Sequence, residues 1–578
     1  MNFILATLLF VPSFSLGQAP SDTTQAHQYY QDGDSLFDAR QYQNAIVQME
    51  QALALFSEAE VWRRSIDAEI IIIESLWRSS NFEEAIARAD KLSGSIESQL
   101  GPNSKQEGFL NFAIGNIKFM TGDFEAAIEG YDKSINILKS RLGDEHKDLL
   151  KVYYNQANLY YYSGDHDKAL AIFEKLVAIR IKLNGEQDPE IAGDYLGIGS
   201  IYRIKGYFEE ALVYFEKGLA IELNAFGKDH FGLADWYGSI GLIYTKYGSY
   251  QKAFDYYSES LRLQKALYQG QPNLAYTSNY INMGAAMYYQ DELDSALFFY
   301  NKAVDLFESL QEGTNYNLLP LYNNIAQVLV KQGLYTEAIS NFKKSLTTQR
   351  AIQEDILTET GQSHSGLALS YTLLDDFDSA QYHFERAVRA YNKLFGQKHA
   401  LLAQTYREHG HLYLKKQQKD KALHFFQKSI LSVLPDIDEN LSADWQYNPS
   451  SKASISSYQL LTSYFDKATA IKSLSDEQKE DHYLDLAFQT YQVCDTLIDE
   501  LQDIQIDFED KINFRSLISG TYGQLVNCAY ELYTTSGDRK FLEMSFYYSE
   551  KSKASIMKNN MIDFNSRSFA NIPDSIIQ

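Results

Sequence analysis

A pattern of small and large apolar residues repeats along this chain about every 42 residues. An alanine returns at that interval, and a Phe or Tyr follows it four residues later in eight copies. A second small residue usually stands three positions further on, so the spacings place all three on one face of a helix. The repeated alanines are Ala45, Ala85, Ala127, Ala169, Ala211, Ala253, Ala296, Ala338, Ala380 and Ala422.

A second helix is predicted upstream of each alanine. Twelve residues earlier the chain usually carries Gly or Ala, as at Gly115, Ala157 and Gly199, and an aromatic residue often stands four positions before that. A Gly- or Asp-started turn separates the two helical patterns, so each unit reads as two antiparallel helices (A and B). The first two copies depart from the pattern, with Ile73 at the helix-A small position and Met49 and Ala89 at the helix-B aromatic position.

The order of these small and aromatic positions resembles the tetratricopeptide repeat (TPR), whose usual unit has about 34 residues. The extra length follows helix B, where glycines recur at Gly143, Gly185 and Gly227. A long unit with such a connector resembles the kinesin-light-chain type. The resemblance covers residues 27–434 as about ten repeats and implies an all-α fold, a TPR superhelical solenoid of antiparallel helix pairs.

The sequence pattern changes on both sides of this array. At the N-terminus an apolar core and small residues predict a signal peptide over 1–17, cleaved after Gly17, and hence an exported protein, periplasmic or extracellular. Residues 435–453 contain Pro435, Pro449 and many polar residues, which predicts a linker. An irregular, TPR-like helical region is predicted over 454–562, and 563–578 reads as a loop leading to a further C-terminal domain.

Charge narrows the classes of partner. The chain has 52 basic and 76 acidic residues, a formal net charge of -24. Such a balance disfavours nucleic acid and anionic membranes as partners. Beyond the N-terminal segment no apolar run reaches the roughly 18 residues that a membrane-spanning helix needs. We therefore expect a protein or peptide ligand, and no transmembrane helix in the mature chain.

Motifs for catalysis, metals and cofactors are weak. The chain has no phosphate-binding loop, and GQSHSG at 361–366 lacks the second glycine of a nucleophile elbow and sits at helix-A positions. His409 and His411 lie two apart on a predicted helix, so they face different directions. Cys494 and Cys528 read first as buried thiols, with a disulfide or a catalytic thiol as alternatives. The expectation is a chain that is not an enzyme, with no metal and no cofactor.

Helix-A side chains expected to face outward are the candidates for a ligand groove. In the TPR family the concave surface, lined by first helices, holds extended peptides or partner helices, and Asn, Gln, Tyr, Lys and Arg suit that task. Their basic members suggest a positive stripe for an acidic or C-terminal-carboxylate ligand. The candidates are Asn116, Tyr154, Asn158, Tyr161, Tyr162, Arg203, Lys246, Tyr288, Tyr289, Asn323, Gln327, Lys331, Arg407 and Lys415.

The end of the chain carries a second resemblance. The run Glu550-Lys551-Ser552-Lys553-Ala554, then Ile572-Pro573-Asp574, is similar to the junction between TPR arrays and CHAT (caspase-like) protease domains in bacterial proteins. This implies that the chain is the sensor or regulatory arm of a protease whose catalytic domain lies beyond residue 578. The alternatives are an extracytoplasmic sensor of a membrane signalling protein and a stand-alone periplasmic adaptor.

Overall fold

The structure, a computed structural model, describes residues 23–310, 315–352, 358–437, 444–449, 454–502 and 508–569. The predicted signal peptide and Ile572-Pro573-Asp574 lie outside these residues, as does part of the predicted linker. The described residues fold into helices without a strand, so the all-α class is confirmed. They form two compact units, Met1–Gly227 and Lys228–Gln578.

Unit 1 consists of five helix pairs in chain order. Each pair packs as two antiparallel helices, and each B helix also contacts the A helix that follows it within the unit. The helices are α1 Thr24–Asp38, α2 Tyr42–Glu58, α3 Trp62–Arg78, α4 Phe82–Leu100, α5 Lys105–Met120, α6 Phe124–Leu142, α7 Lys147–Tyr162, α8 His166–Asn184, α9 Pro189–Ile204 and α10 Phe208–Phe226.

Unit 2 contains five more such pairs and then four longer helices. The pairs are α11 Leu233–Lys246, α12 Tyr250–Leu267, α13 Tyr276–Tyr289, α14 Leu293–Leu310, α15 Leu318–Lys331, α16 Tyr335–Ala351, α17 Thr358–Leu373, α18 Phe377–Phe395, α19 Ala400–Lys415 and α20 Lys419–Leu431. The remaining helices are α21 Ser457–Gln478, α22 Asp481–Gln502, α23 Phe508–Ser536 and α24 Arg539–Phe569.

The small and large positions of the repeat pack against each other inside each pair. A Cβ added at Gly199 of α9 would lie 2.5 Å from Phe215 of α10, and one at Gly241 would lie 2.7 Å from Tyr257. The ring of helix B therefore occupies the space that a helix-A side chain would need. The predicted close approach of the two helices is confirmed at these positions.

Residues in the left-handed backbone conformation form the turn between helices A and B. Gly122 has a φ of 81°, and Asp375 has one of 60° at the equivalent place in a later repeat. Gly tolerates this conformation best, and Asp is among the few other residues that adopt it readily. The Gly- or Asp-started turn read from the sequence is thus a backbone requirement.

The four last helices share one core with the end of the array in unit 2. Buried residues from α19 to α24 form a single apolar cluster, including Ile430, Tyr464, Phe488 and Tyr522. The helix α24 continues to Phe569, whereas a loop was expected from residue 563. No Gly or Pro precedes Pro573 in this stretch, so the sequence holds no strong stop signal for the helix.

Candidate pocket on the first helices of unit 2

A cavity of about 630 Å³ lies along the A helices α13, α15, α17 and α19 of unit 2. Side chains from α12, α16 and α18 complete its wall. A volume of this size is in the range of ligand-binding pockets. The lining residues are Tyr250, Tyr288, Tyr289, Gln327, Val330, Lys331, Phe342, Gln362, Ser365, Gly366, Leu369, Tyr391, Leu401, Gln404, Thr405 and Glu408.

Three tyrosines form an aromatic wall on one side of the pocket. Tyr250 stacks on Tyr289 with ring centroids 5.0 Å apart, and Tyr289 meets Tyr288 edge to face at 5.4 Å. The ammonium of Lys331 lies 4.8 Å from the centroid of the Tyr288 ring. These contacts hold the rings in fixed orientations, which offers a ligand broad contact area with polar tips.

Amide and hydroxyl groups from α15, α17 and α19 also line the pocket. Ser365 and Thr405 share a hydrogen bond of 3.1 Å, and Gln404 Nε2 donates to Glu408 Oε1 at 3.0 Å. Neither Gln327 nor Gln362 has a hydrogen-bond partner among the described residues. A side-chain amide both donates and accepts, so these two can pair with the backbone of an extended peptide.

The pocket lining carries two charged side chains in the described part of the chain. Lys331 forms an ion pair with Asp291 at 2.9 Å, so its charge is already offset. Glu408 accepts from Gln404, and burial raises the pKa of its carboxyl, although Arg407 and His411 act in the other direction. Burial and then the charge of Glu408 raise the pKa of the Tyr391 phenol, which lines the same pocket.

Four of the fourteen predicted groove residues line this pocket: Tyr288, Tyr289, Gln327 and Lys331. The sequence reading missed Tyr250 because it lies on a B helix. It also missed Gln362 and Gln404, which stand 42 residues apart at the same helix-A position. That repetition was the signal that could have found them.

The prediction is wrong for Asn116 and Asn323, which are buried. Asn116 Oδ1 accepts from Tyr131 Oη and from Asn155 Nδ2, both at 2.8 Å. Asn323 Oδ1 accepts from Ser363 Oγ at 2.6 Å, and its amide donates to the carbonyl of Glu359. Both amides tie one A helix to the next, so neither is open to a ligand.

The remaining candidates in unit 1 are half-buried, except for the exposed Tyr162. Tyr154 meets Phe173 edge to face at 5.9 Å, and Asn158 donates to the carbonyl of Tyr154 at 3.1 Å. Tyr161 packs edge to face on Tyr162 at 5.2 Å. Arg203 is half-buried near the end of α9. These contacts lie within or between neighbouring repeats of unit 1.

The predicted positive stripe is not supported by the ion pairs of unit 2. Besides the Lys331 pair, Arg407 lies 3.2 Å from Asp466, and Lys415 lies 2.7 Å from Asp375. Lys246 is exposed on α11. Carboxylates from other helices or turns thus pair with Lys331, Arg407 and Lys415, and the local charge of these three cations is largely offset.

The other chemical candidates are structural. Cys494 and Cys528 are free and buried, and burial raises the pKa of both thiols. His409 stacks between Phe384 and Phe425, whereas His411 Nε2 lies 2.7 Å from Asp466. The two histidines therefore face different partners, as their spacing predicts. Within the described ranges no cluster of three metal-ligating residues occurs, and no helix is long and apolar enough to cross a bilayer.

Solved structures of known proteins resemble parts of this chain. RapI in its apo form is 12% identical over 64% of this chain and 97% of its own, with a TM-score of 0.48. The quorum sensor NprR from B. thuringiensis is 19% identical over 63% and 99%, with a TM-score of 0.46. TPR-like repeats of the kinesin-light-chain type from Podosopora anserina are 17% identical over 35% and 96%, with a TM-score of 0.30.

Family comparison decides the relationship. No curated protein matches the chain. The model of the tetratricopeptide repeat matches residues 109–182, 191–266, 274–351 and 359–430, which together make up just over half of the sequence. These segments contain the small and aromatic positions whose packing is described above. The chain belongs to the tetratricopeptide repeat family.

Proposed function

We propose that this chain is a non-catalytic scaffold that binds an extended peptide segment of another protein in the pocket of unit 2. The observation that carries the proposal is the pair of unpartnered amides, Gln327 and Gln362, beside the fixed tyrosine wall. An extended peptide presents backbone donors and acceptors at regular intervals, which side-chain amides can match. Aromatic rings add contact area at a small cost in conformational entropy.

A displayed peptide library selected on the purified chain tests this function. Replacing Gln327 and Gln362 together by Ala removes about two hydrogen bonds, so the Kd of a selected peptide should rise by about tenfold or more. Replacing the exposed Gln271, which does not line the pocket, serves as the matched control and should leave the Kd unchanged. Selected peptides that bind the double variant as tightly as the wild type would place the site elsewhere.

We also propose that the scaffold is exported and serves a CHAT-type protease as its regulatory arm. The motif Glu550–Ala554 lies in α24, where Lys551 contacts Asp495 and Asp499 of α22 at 2.7 Å each. These two ion pairs give Lys551 a structural role in fixing the last helix. The competing assignments are the extracytoplasmic arm of a membrane signalling protein and a stand-alone adaptor.

Two measurements test this assignment. N-terminal sequencing of the protein secreted by its host should begin at Gln18, whereas an unprocessed N-terminus would reject export by this route. The gene downstream of Gln578 should encode a caspase-like domain with a His/Cys dyad. A membrane-spanning segment there would favour the signalling protein, and an immediate stop codon would favour the adaptor.

Absence of peptidase activity in the purified chain is a further expected outcome. Burial raises the pKa of the Cys494 thiol far above neutrality, so the reactive thiolate is scarce. Peptide cleavage that disappears on changing Cys494 to Ser would contradict the non-catalytic assignment. Cys528 to Ser, a second buried thiol in the same core, is the control.

A further inference from the structure

The charge of the pocket is set by Glu408, a carboxylate without an ion-pair partner among the described residues. Lys331, the other charged lining residue, is held by Asp291 at 2.9 Å. No Lys, Arg or His within the described residues lies at ion-pair distance from Glu408. The neighbouring basic side chains on α19, Arg407 and His411, both contact Asp466, at 3.2 and 2.7 Å.

From this arrangement we infer that the peptide bound in the pocket inserts a basic side chain, Arg or Lys, onto Glu408. The inference rests on the proposed function and names the chemistry of its ligand. It reverses the acidic ligand suggested by the sequence, because the basic groove residues Lys331, Arg407 and Lys415 already have carboxylate partners.

The surroundings of Glu408 suit a cation with an aliphatic stem. Leu369 and Leu401 line the same cavity and can cover the methylene groups. The Tyr391 phenol, close enough for the Glu408 charge to raise its pKa further, supplies an aromatic ring. Gln404 donates to Oε1 of Glu408 and fixes its carboxylate, which leaves Oε2 to accept from the ligand.

The burial of the Glu408 carboxylate favours the binding of a counter-ion. Glu408 is half-buried, and a carboxylate partly withdrawn from water without a counter-ion is costly, which agrees with the raised pKa of its carboxyl. A cationic side chain entering the pocket removes much of the cost, and its hydrogen bonds to the carboxylate are charge-assisted. An acidic side chain would meet repulsion at the same place.

The test uses the purified chain and a positional-scanning library of N-acetylated, C-amidated hexapeptides. Each pool fixes one residue at one position, and retention on the immobilised protein is measured. At one position the Arg and Lys pools should be retained about tenfold better than the norleucine and Glu pools. Glu408→Gln should abolish that preference, and Glu408→Asp should keep it in weaker form.

Two control variants separate the pocket carboxylate from general charge. Glu385→Gln removes a carboxylate on α18 that accepts from Gln381 in the same i, i+4 geometry but does not line the pocket, and it should keep the preference. Glu337→Gln, which changes an exposed carboxylate of α16 outside the pocket, should also keep it. Thermal unfolding of each variant shows whether the fold is retained, and Glu408→Asp supplies a second reading if Glu408→Gln fails to fold.

The outcomes distinguish the ligand chemistry from the function. A preference for Asp or Glu pools, or an Arg and Lys preference that survives Glu408→Gln, overturns the basic-ligand inference while peptide binding itself stands. Retention of the pools that is indifferent to Arg and Lys at every position also overturns it. Failure of the wild-type chain to retain any pool rejects the proposed function and the inference together.

Discussion

At the residue scale, burial decides which charged groups stabilise this protein. Arg180 and Asp194 are both buried in unit 1 and lie 2.9 Å apart. Burial nevertheless raises the pKa of Asp194 to about 8, and Arg180 offsets part of this effect. Asp194 Oδ1 and Arg180 Nε have no hydrogen-bond partner. The desolvation cost of the pair thus offsets much of the stabilisation from its electrostatic attraction, as is common for buried ion pairs.

Replacing Arg180 by Met should lower the free energy of unfolding by about 3–5 kcal/mol, because Asp194 would remain buried without a counter-ion. The double variant with Asp194→Leu should recover most of that loss. Urea unfolding measures both. The exposed pair Lys133 and Glu129, 2.7 Å apart on α6, is the control, and Lys133→Met should lower the free energy of unfolding far less than Arg180→Met does. Equal losses in the free energy of unfolding for Arg180→Met and Lys133→Met would contradict this account.

At the element scale, the helix pair depends on small residues that admit a ring from the partner helix. The pairing of Gly199 with Phe215 recurs at Gly241 with Tyr257 and at Gly284 with Tyr300. In each case an added Cβ would lie 2.7 Å or less from the ring. Helix propensity alone would favour Ala at these places, so the packing of the pair outweighs the local preference.

Gly199→Ala should therefore destabilise the protein by about 1–3 kcal/mol through overpacking, despite a helix-propensity gain of up to about 1 kcal/mol. Gly94 lies inside α4, and an added Cβ there meets nothing within 4 Å. Gly94→Ala should accordingly stabilise the protein. Thermal and urea unfolding measure both substitutions. The same sign for the two would show that propensity, and not packing, governs the Gly199 position.

At the scale of the whole molecule, the histidines that burial keeps neutral are concentrated in unit 2. Among the described residues, the histidines whose pKa burial lowers all belong to this unit: His364, His383, His399, His409 and His424. His364 and His383 share a hydrogen bond of 2.9 Å between their Nδ1 atoms. A folded state that holds these rings neutral binds fewer protons than the unfolded chain.

The contribution of these histidines to stability should consequently fall as the pH falls from about 6.5, the ordinary His pKa, towards the lowered values of about 3 for His364 and His409 and about 4 for His383. The raised pKa of Asp194 acts in the opposite direction. His409→Phe should flatten this dependence, because the ring stacks on Phe384 and its Nε2 has no partner to lose. Urea unfolding between pH 7 and 4 measures it. The exposed His482→Phe is the control. An unchanged pH dependence in His409→Phe would contradict the argument.

Sequence reasoning reached the helix pairs because their signals are local. Gly199 and Phe215 lie 16 residues apart, and Gly122 and Asp375 mark turns through their own backbone conformation. The same reasoning reached the pocket in part, through Tyr288, Tyr289, Gln327 and Lys331. It failed for Asn116 and Asn323, since a polar residue on a helix face looks the same whether it faces a ligand or a neighbouring helix.

The sequence by itself determined the all-α class and the repeat, because each unit contacts near neighbours along the chain and repeats the same packing. The tertiary structure alone decided which charges remain unpaired. Arg407 meets Asp466 at a separation of 59 residues, and Lys415 meets Asp375 at one of 40. Such pairs depend on how successive helices stack. They leave Glu408, among the described residues that line the pocket, without an ion-pair partner.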